Sequence, residues 1–198
     1  MDKKIKNIVF DLGGVLVGFD GQRCINGFEA LGCHDVAQYV VEHRTEDLFY
    51  DIELGRINTG DFCNRVREMS EVAASDADII SAWNSLLTPM KPEKRKSLEE
   101  LRRRGYKLYL LSNTNDMHWQ LCGYVFRIAT LFDHCFLSYE MHLAKPDEEI
   151  FREVLRQTGC DAAETLFIDD NRDNVEAARR VGMHAFLNET LDAWLSEV

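Results

Sequence analysis

The sequence predicts an α/β protein: a doubly wound parallel sheet whose first strand is followed by an inserted, all-helical block. Three observations predict it. From residue 89 onward, apolar runs of strand length alternate with segments of helical spacing. A long block without strand signal follows the first apolar run, and several apolar runs end on polar residues.

The first strand is the run Ile8-Val9-Phe10, oily on both faces of its pleat and ending at Asp11. Gly13 and Gly14 follow, so the backbone can turn sharply and approach another group closely. The segment 17–20 leaves the sheet, and residues 22–87 read almost entirely as helix, with stops at Gly32 and Gly55. Ser75-Asp76-Ala77-Asp78 resembles a capping box ahead of Ile79, Ile80 and Trp83. Pro92 opens the next helix, with Leu98 and Leu101 inward, and Gly105 closes it. Residues 106–111 form the second strand, ending at Ser112-Asn113-Thr114-Asn115, and a helix carrying Met117, Trp119 and Phe126 follows. His134-Cys135-Phe136-Leu137 is the third strand. The helix over 146–158 places Ile150, Phe151, Val154 and Leu155 on one face. The fourth strand, 165–168, ends in Asp169-Asp170; a helix over 174–181 leads to the fifth strand, His184-Ala185-Phe186-Leu187. Ligands of open parallel sheets bind beyond the carboxyl ends of the strands. Asp11, Ser112, Asn113, Lys145, Asp169 and Asp170 are therefore expected along one edge.

A net charge of -11 argues against nucleic acid or an anionic membrane surface as partner, and obliges an anionic substrate to meet a local cation. The basic runs Lys94-Arg95-Lys96 and Arg102-Arg103-Arg104 are interleaved with Glu93, Glu99 and Glu100 and read as a solvated helix face. Six cysteines without a C-x-x-C pair suit reduced thiols in a cytoplasmic protein. The N-terminus is too charged for a signal peptide, and no apolar run nears the ~18 residues of a membrane helix. The expectation is a cytoplasmic monomer.

Lys145 stands immediately before Pro146, where a helix cap would place Ser, Thr, Asp or Asn, and a cation there faces the positive end of the helix dipole. Adjacent carboxylates at Asp169-Asp170 repel, which suggests a divalent cation; oxygen-only donors favour Mg²⁺. Ser112-Asn113 offers a hydroxyl and an amide suited to an anion's oxygens. Tyr50, Asp51, Glu53 and Arg56 surround a turn and are read either as contacts for sugar hydroxyls or as solvated surface.

Four motifs in order, Phe10-Asp11-Leu12-Gly13, Leu111-Ser112-Asn113, Ala144-Lys145-Pro146 and Ile168-Asp169-Asp170-Asn171-Arg172-Asp173-Asn174, resemble those of the haloacid dehalogenase-like (HAD) hydrolase superfamily. The likeness extends to the subgroup of bacterial alpha-D-glucose-1-phosphate phosphatases and epoxide hydrolase N-terminal phosphatase domains. The resemblance implies a Rossmann-like core over 1–17 and 89–198, with 18–88 as a helical cap hinged at 17–20 and 88–92. It implies Asp11 as nucleophile, forming an aspartyl-phosphate, with Mg²⁺ held by Asp11, the Gly13 carbonyl and Asp170, and Asp169 acting through water. Ser112, Asn113 and Lys145 would hold the phosphoryl oxygens, and Asn174 and Asp173 would orient Lys145 or the metal shell. The implied partner is a small-molecule phosphate ester.

One position departs from the pattern. Most HAD phosphatases carry an acid–base Asp two residues after the nucleophile, and here that residue is Gly13. A sugar 1-phosphate, with a comparatively good leaving group, fits such a site, and Asp20 is a candidate substitute acid. The alternatives are a 2-haloacid dehalogenase, which needs no Mg²⁺, and a catalytically weak phospho-ligand binding module.

Overall fold

The computed structural model describes residues 5–42 and 48–196; the helix expected across 43–47 lies outside the described residues, as do residues 1–4 of the charged N-terminus. Strands β1 (Asn7–Phe10), β2 (Lys107–Ser112), β3 (His134–Leu137), β4 (Thr165–Asp169) and β5 (His184–Leu187) form one parallel sheet in the order β3-β2-β1-β4-β5. The central strand is thus the one that ends at Asp11. Its Phe10 pairs with Leu110 on one side and Ile168 on the other, which brings the tips of β1, β2 and β4 level.

The period of two along β1 sorts its side chains between two cores. Ile8 and Phe10 pack with Leu98, Leu101, Trp119 and Trp194, whereas Val9 packs with Ile150, Phe151, Phe167 and Ala178 on the opposite face. Among the described residues, the block inserted after β1 comprises the helices α1 (Gly21–Ala30), α2 (His34–Glu42), α3 (Leu48–Glu53), α4 (Thr59–Ser70) and α5 (Asp76–Asn84). They enclose a third core around Phe28, Phe62, Ile79 and Trp83. The chain enters and leaves this block side by side, with the Asp20 N–H donating to Leu86 O (2.7 Å) and the Thr88 N–H to Gly18 O (2.9 Å). Helix α6 (Pro92–Arg103) precedes β2, and α7 (Asp116–Trp119) follows it and runs into a π-helical turn, Gln120–Val125. Phe126 lies beyond that turn rather than on the expected helix. On α7, Met117 joins the core of the helical block, and His118 stacks on Trp83 at 4.6 Å and donates from Nε2 to the Trp83 carbonyl. Burial holds this imidazole neutral, with its pKa pushed down to about 4.

Helices α8 (Ser138–Met141) and α9 (Glu148–Thr158) connect β3 to β4, and α10 (Arg172–Arg180) connects β4 to β5. Two sequence expectations need correction. The cap of α9 is Asp147, whose side chain accepts the Glu149 N–H, so Lys145 precedes the cap and does not face the first turn as one. An Asp two residues further on satisfies an orphan N–H that a lysine cannot. The basic run on α6 is not wholly solvated either. Lys94 is fully buried and donates to the carbonyl oxygens of Val15 and Leu191, joining α6 to the turn after β1 and to the C-terminal segment. The six cysteines are free, and among the described residues no helix is long and apolar enough to cross a membrane.

Candidate active site

At the level edge of β1, β2 and β4, a single buried ammonium meets two carboxylates. Lys145 Nζ lies 2.7 Å from Asp11 Oδ1 and 2.6 Å from Asp169 Oδ2, with its side chain 1% exposed. An ammonium without water needs this much anionic company. Burial works against its charge, but the two carboxylates outweigh burial and raise its pKa. The peptide group of Lys145 is held as firmly. The Asn113 side chain donates from Nδ2 to Lys145 O and accepts the Lys145 N–H at Oδ1, both at 2.9 Å.

Asp169 is fully buried and hydrogen-bonded at both oxygens. Besides Lys145 it accepts the Asn171 N–H (2.8 Å) and the Asn174 Nδ2–H (3.0 Å). Asp11 follows β1 and is nearly buried, its N–H donating to Ile168 O. Burial raises its pKa to about 7, against the pull of Lys145 and with a further push from Asp169. Asp170 is exposed enough to meet solvent, yet partial desolvation and the neighbouring Asp169 raise its pKa too. Carboxylate oxygens of Asp11, Asp169 and Asp170 lie within 4.8 Å of one another. Gly14 makes room for this cluster: its φ is +68°, and a β-carbon there would stand 1.9 Å from Asp170 Oδ2.

The fold thus gathers Asp11, Gly13, Ser112, Asn113, Lys145, Asp169 and Asp170 at one edge, as the sequence implies, with Asn174 behind them. The roles of two side chains shift. Asn113 spends both ends of its amide on the Lys145 backbone instead of holding it toward an anion. Asn174 holds Asp169 and reaches Lys145 through that carboxylate. Asp173 is not brought in: it is exposed in the first turn of α10, where its N–H is capped by Asn171. Asp20 also leaves the list of acids. Its Oδ1 caps α1 by accepting the Arg23 N–H at 3.0 Å.

Position 13 is blocked by more than the lack of a side chain. A β-carbon on Gly13 would stand 2.2 Å from Phe19 Cζ, so the phenyl ring occupies the space an acid would need. Around the turn at Gly55, Asp51 pairs with Arg56 and Arg65, and Arg56 lies over Tyr50. Glu53 behaves differently. It is partly buried, and burial raises its pKa to about 7 while the Lys145 ammonium pulls the other way. Nothing in the local sequence distinguishes Glu53 from Tyr50, Asp51 and Arg56 around the same turn.

A family model described as haloacid dehalogenase-like hydrolase matches residues 5–182. The D-ribitol-5-phosphate phosphatase of Bacteroides thetaiotaomicron is 30% identical, over 98% of this chain and 97% of its own length. A solved HAD family enzyme from the same organism, in complex with magnesium and inorganic phosphate, is 38% identical with a TM-score of 0.85, covering 92% of this chain and 93% of that one. A HAD-like family hydrolase of Porphyromonas gingivalis superimposes with a TM-score of 0.89 at 32% identity, covering 98% and 95%. Matched along most of its length by the family model and sharing its fold with solved members, the chain belongs to the haloacid dehalogenase-like hydrolase family.

Proposed function

We propose that the protein is a Mg²⁺-dependent phosphatase that hydrolyses a small phosphorylated sugar or sugar alcohol through an aspartyl-phosphate on Asp11. The observation that carries this reading is the edge of three clustered carboxylates, two of them paired with one buried ammonium. Such an edge repels a phosphate dianion unless a second cation joins Lys145. At an effective dielectric of ~20, each like-charge pair ~4 Å apart costs about 4 kcal/mol.

The donor set fits that cation, since hard oxygen ligands alone suit Mg²⁺. Asp11, Asp170 and the Gly13 carbonyl would hold it, with Asp169 contributing its charge and a water-bridged contact. Bound there, the ion would neutralise charge on the phosphoryl group as it transfers. Asp11 then attacks phosphorus, and Lys145 and the Ser112 hydroxyl hold the phosphoryl oxygens. Asn113 and Asp169 act through Lys145, fixing its two ends. Residues 1–17 and 89–198 form the catalytic core in this reading. Residues 18–88 form the cap, which excludes water and selects the ester.

Sugar 1-phosphates come first among substrates, because an anomeric oxygen needs the least help in leaving. The ribitol-5-phosphate phosphatase relative supports a terminal phosphate of a sugar alcohol as the second choice. A screen of sugar 1-phosphates, terminal sugar and polyol phosphates, nucleotides and 2-haloacids, each with Mg²⁺ and with EDTA, tests the reading. We expect phosphate release from sugar or polyol phosphates that EDTA abolishes. EDTA-resistant halide release would replace it with dehalogenation, and no turnover on any ester with no trapped phospho-Asp11 would leave a binding module. Gly14→Ala is expected to lower Mg²⁺ affinity ~10–100-fold, measured by calorimetric titration, because the added methyl displaces Asp170. Unaltered affinity would remove Asp170 from the metal site.

A further inference from the structure

We propose that Glu53, carried to the strand tips by α3, is the acid–base group of the reaction, acting from the helical block in place of the side chain that Gly13 lacks. The inference rests on the phosphatase reading above and adds a residue to it.

The main chain of residues 53–55 is held at three consecutive points. The Ser138 hydroxyl lies 2.6 Å from the Glu53 carbonyl oxygen, to which it donates, and accepts the Thr114 N–H at 2.9 Å. Ser138 therefore ties the end of α3 to the loop that carries Ser112 and Asn113. One residue on, the Leu54 carbonyl accepts from His142 Nδ1 at 3.0 Å. Next, Gly55 passes so close to α8 that a β-carbon on it would stand 2.2 Å from the Tyr139 carbonyl oxygen. These contacts hold the end of α3 against the loop after β2 and the start of α8, and the Lys145 ammonium acts on the Glu53 carboxyl there.

The neighbouring charges are otherwise engaged. On the elements packed against α3, Arg65 of α4 pairs with Asp51, Glu140 of α8 accepts from the Tyr139 hydroxyl, and His142 bonds the Leu54 carbonyl. Among the described residues, Lys145 is the charged group that acts on the Glu53 carboxyl, and no donor is hydrogen-bonded to it. A carboxyl that is partly buried and unbonded, beside a site for a phosphate dianion, keeps its proton to higher pH than an exposed one. Its pKa is already raised to about 7 before any phosphate is present. An acid of that strength is suited to both halves of the reaction near neutral pH.

The steps balance. As Asp11 Oδ bonds to phosphorus and the P–O ester bond breaks, the Glu53 proton passes to the leaving oxygen, releasing the alcohol. The Glu53 carboxylate then takes a proton from the water that attacks phospho-Asp11, which frees Asp11 and inorganic phosphate and restores the acid. With this group present, the chain is not confined to good leaving groups, and terminal phosphates of sugar alcohols come within its range.

The test compares Glu53→Gln with the unaltered protein, both with Mg²⁺, on ribitol 5-phosphate and on 4-nitrophenyl phosphate, whose leaving group needs no proton. The measure is kcat/KM, which reports the steps up to the first irreversible one. We expect a loss of ~10²-fold or more on the alkyl ester and less than ~5-fold on the aryl ester. In the unaltered protein, kcat/KM for the alkyl ester should fall as Glu53 loses its proton near pH 7, and the aryl ester should lack that limb. This pH comparison needs no variant, so it decides the matter even if Glu53→Gln does not fold. Equal losses on the two esters, or profiles of one shape, would overturn the role of Glu53 while leaving the phosphatase reading intact. If the unaltered protein hydrolyses neither these esters nor any in the screen, the phosphatase reading fails and this inference with it.

Discussion

Lys145→Met is expected to lower turnover of any phosphate ester by at least ~10³-fold and to destabilise the metal-free protein by ~3–5 kcal/mol. The two losses have one origin. Lys145 Nζ is the shared partner of Asp11 and Asp169, whose side chains are 11% and 0% exposed, and removing it leaves both carboxylates buried without a counter-charge. Methionine fills the same volume, so a cavity does not confuse the result. Asp11, whose pKa burial already raises to about 7, can escape only by taking up a proton, so the stability loss should grow as pH rises from 5 to 8. Adding Asp169→Asn removes one of the stranded charges while keeping an oxygen to accept from Asn171 and Asn174. The double variant should therefore recover stability but no turnover. Chemical denaturation at several pH values, with initial rates in parallel, checks both halves. Turnover within tenfold of the unaltered protein would dispose of Lys145 as the phosphoryl-binding cation.

Much of this arrangement is legible in the sequence because it is local. Strand runs such as 107–112 and 165–169 announce themselves by their apolar content, and the polar residues that end them fall at one edge because the sheet is parallel. Lys145 is recognisable from its motif, but a breach of capping rules is not the reason for its place. Asp147 caps α9, and what defines Lys145 is two carboxylates contributed by β1 and β4. Lys94 shows the same limit: a basic run with helical spacing looks solvated until distant segments supply buried carbonyl groups to one member of it. Glu53 shows it most plainly. The Ser138 hydroxyl that anchors it is 85 residues away in sequence, and Asp51 and Arg56, its neighbours in the same turn, face other partners. Periodicity describes which face a residue shares, and long-range docking decides what that face meets.

Asp11→Asn is expected to abolish turnover and phosphoenzyme formation, yet to leave metal-free protein more stable than the unaltered chain at neutral and alkaline pH. The first half follows from chemistry: an amide oxygen is a poor nucleophile toward phosphorus, and no other carboxylate stands at the end of the central strand. The second half follows from linkage. The folded-state pKa of Asp11, about 7, lies above its unfolded value of 3.8 because burial and Asp169 outweigh Lys145. Its contribution to stability is therefore fully present below about pH 3.8 and is lost as pH rises through about 7. Asparagine can still accept from Lys145 and has no charge to desolvate, so it avoids that loss. The gap between the two unfolding free energies should open between about pH 4 and pH 7 and level off above that, at a few kcal/mol. Mg²⁺ should then close it, because the ion stabilises the form that carries the Asp11 charge and gains less from the amide. Equal stabilities across that range in EDTA would mean that Asp11 carries no strain. A residue whose replacement costs all of the chemistry and none of the stability is one the fold retains for its reaction.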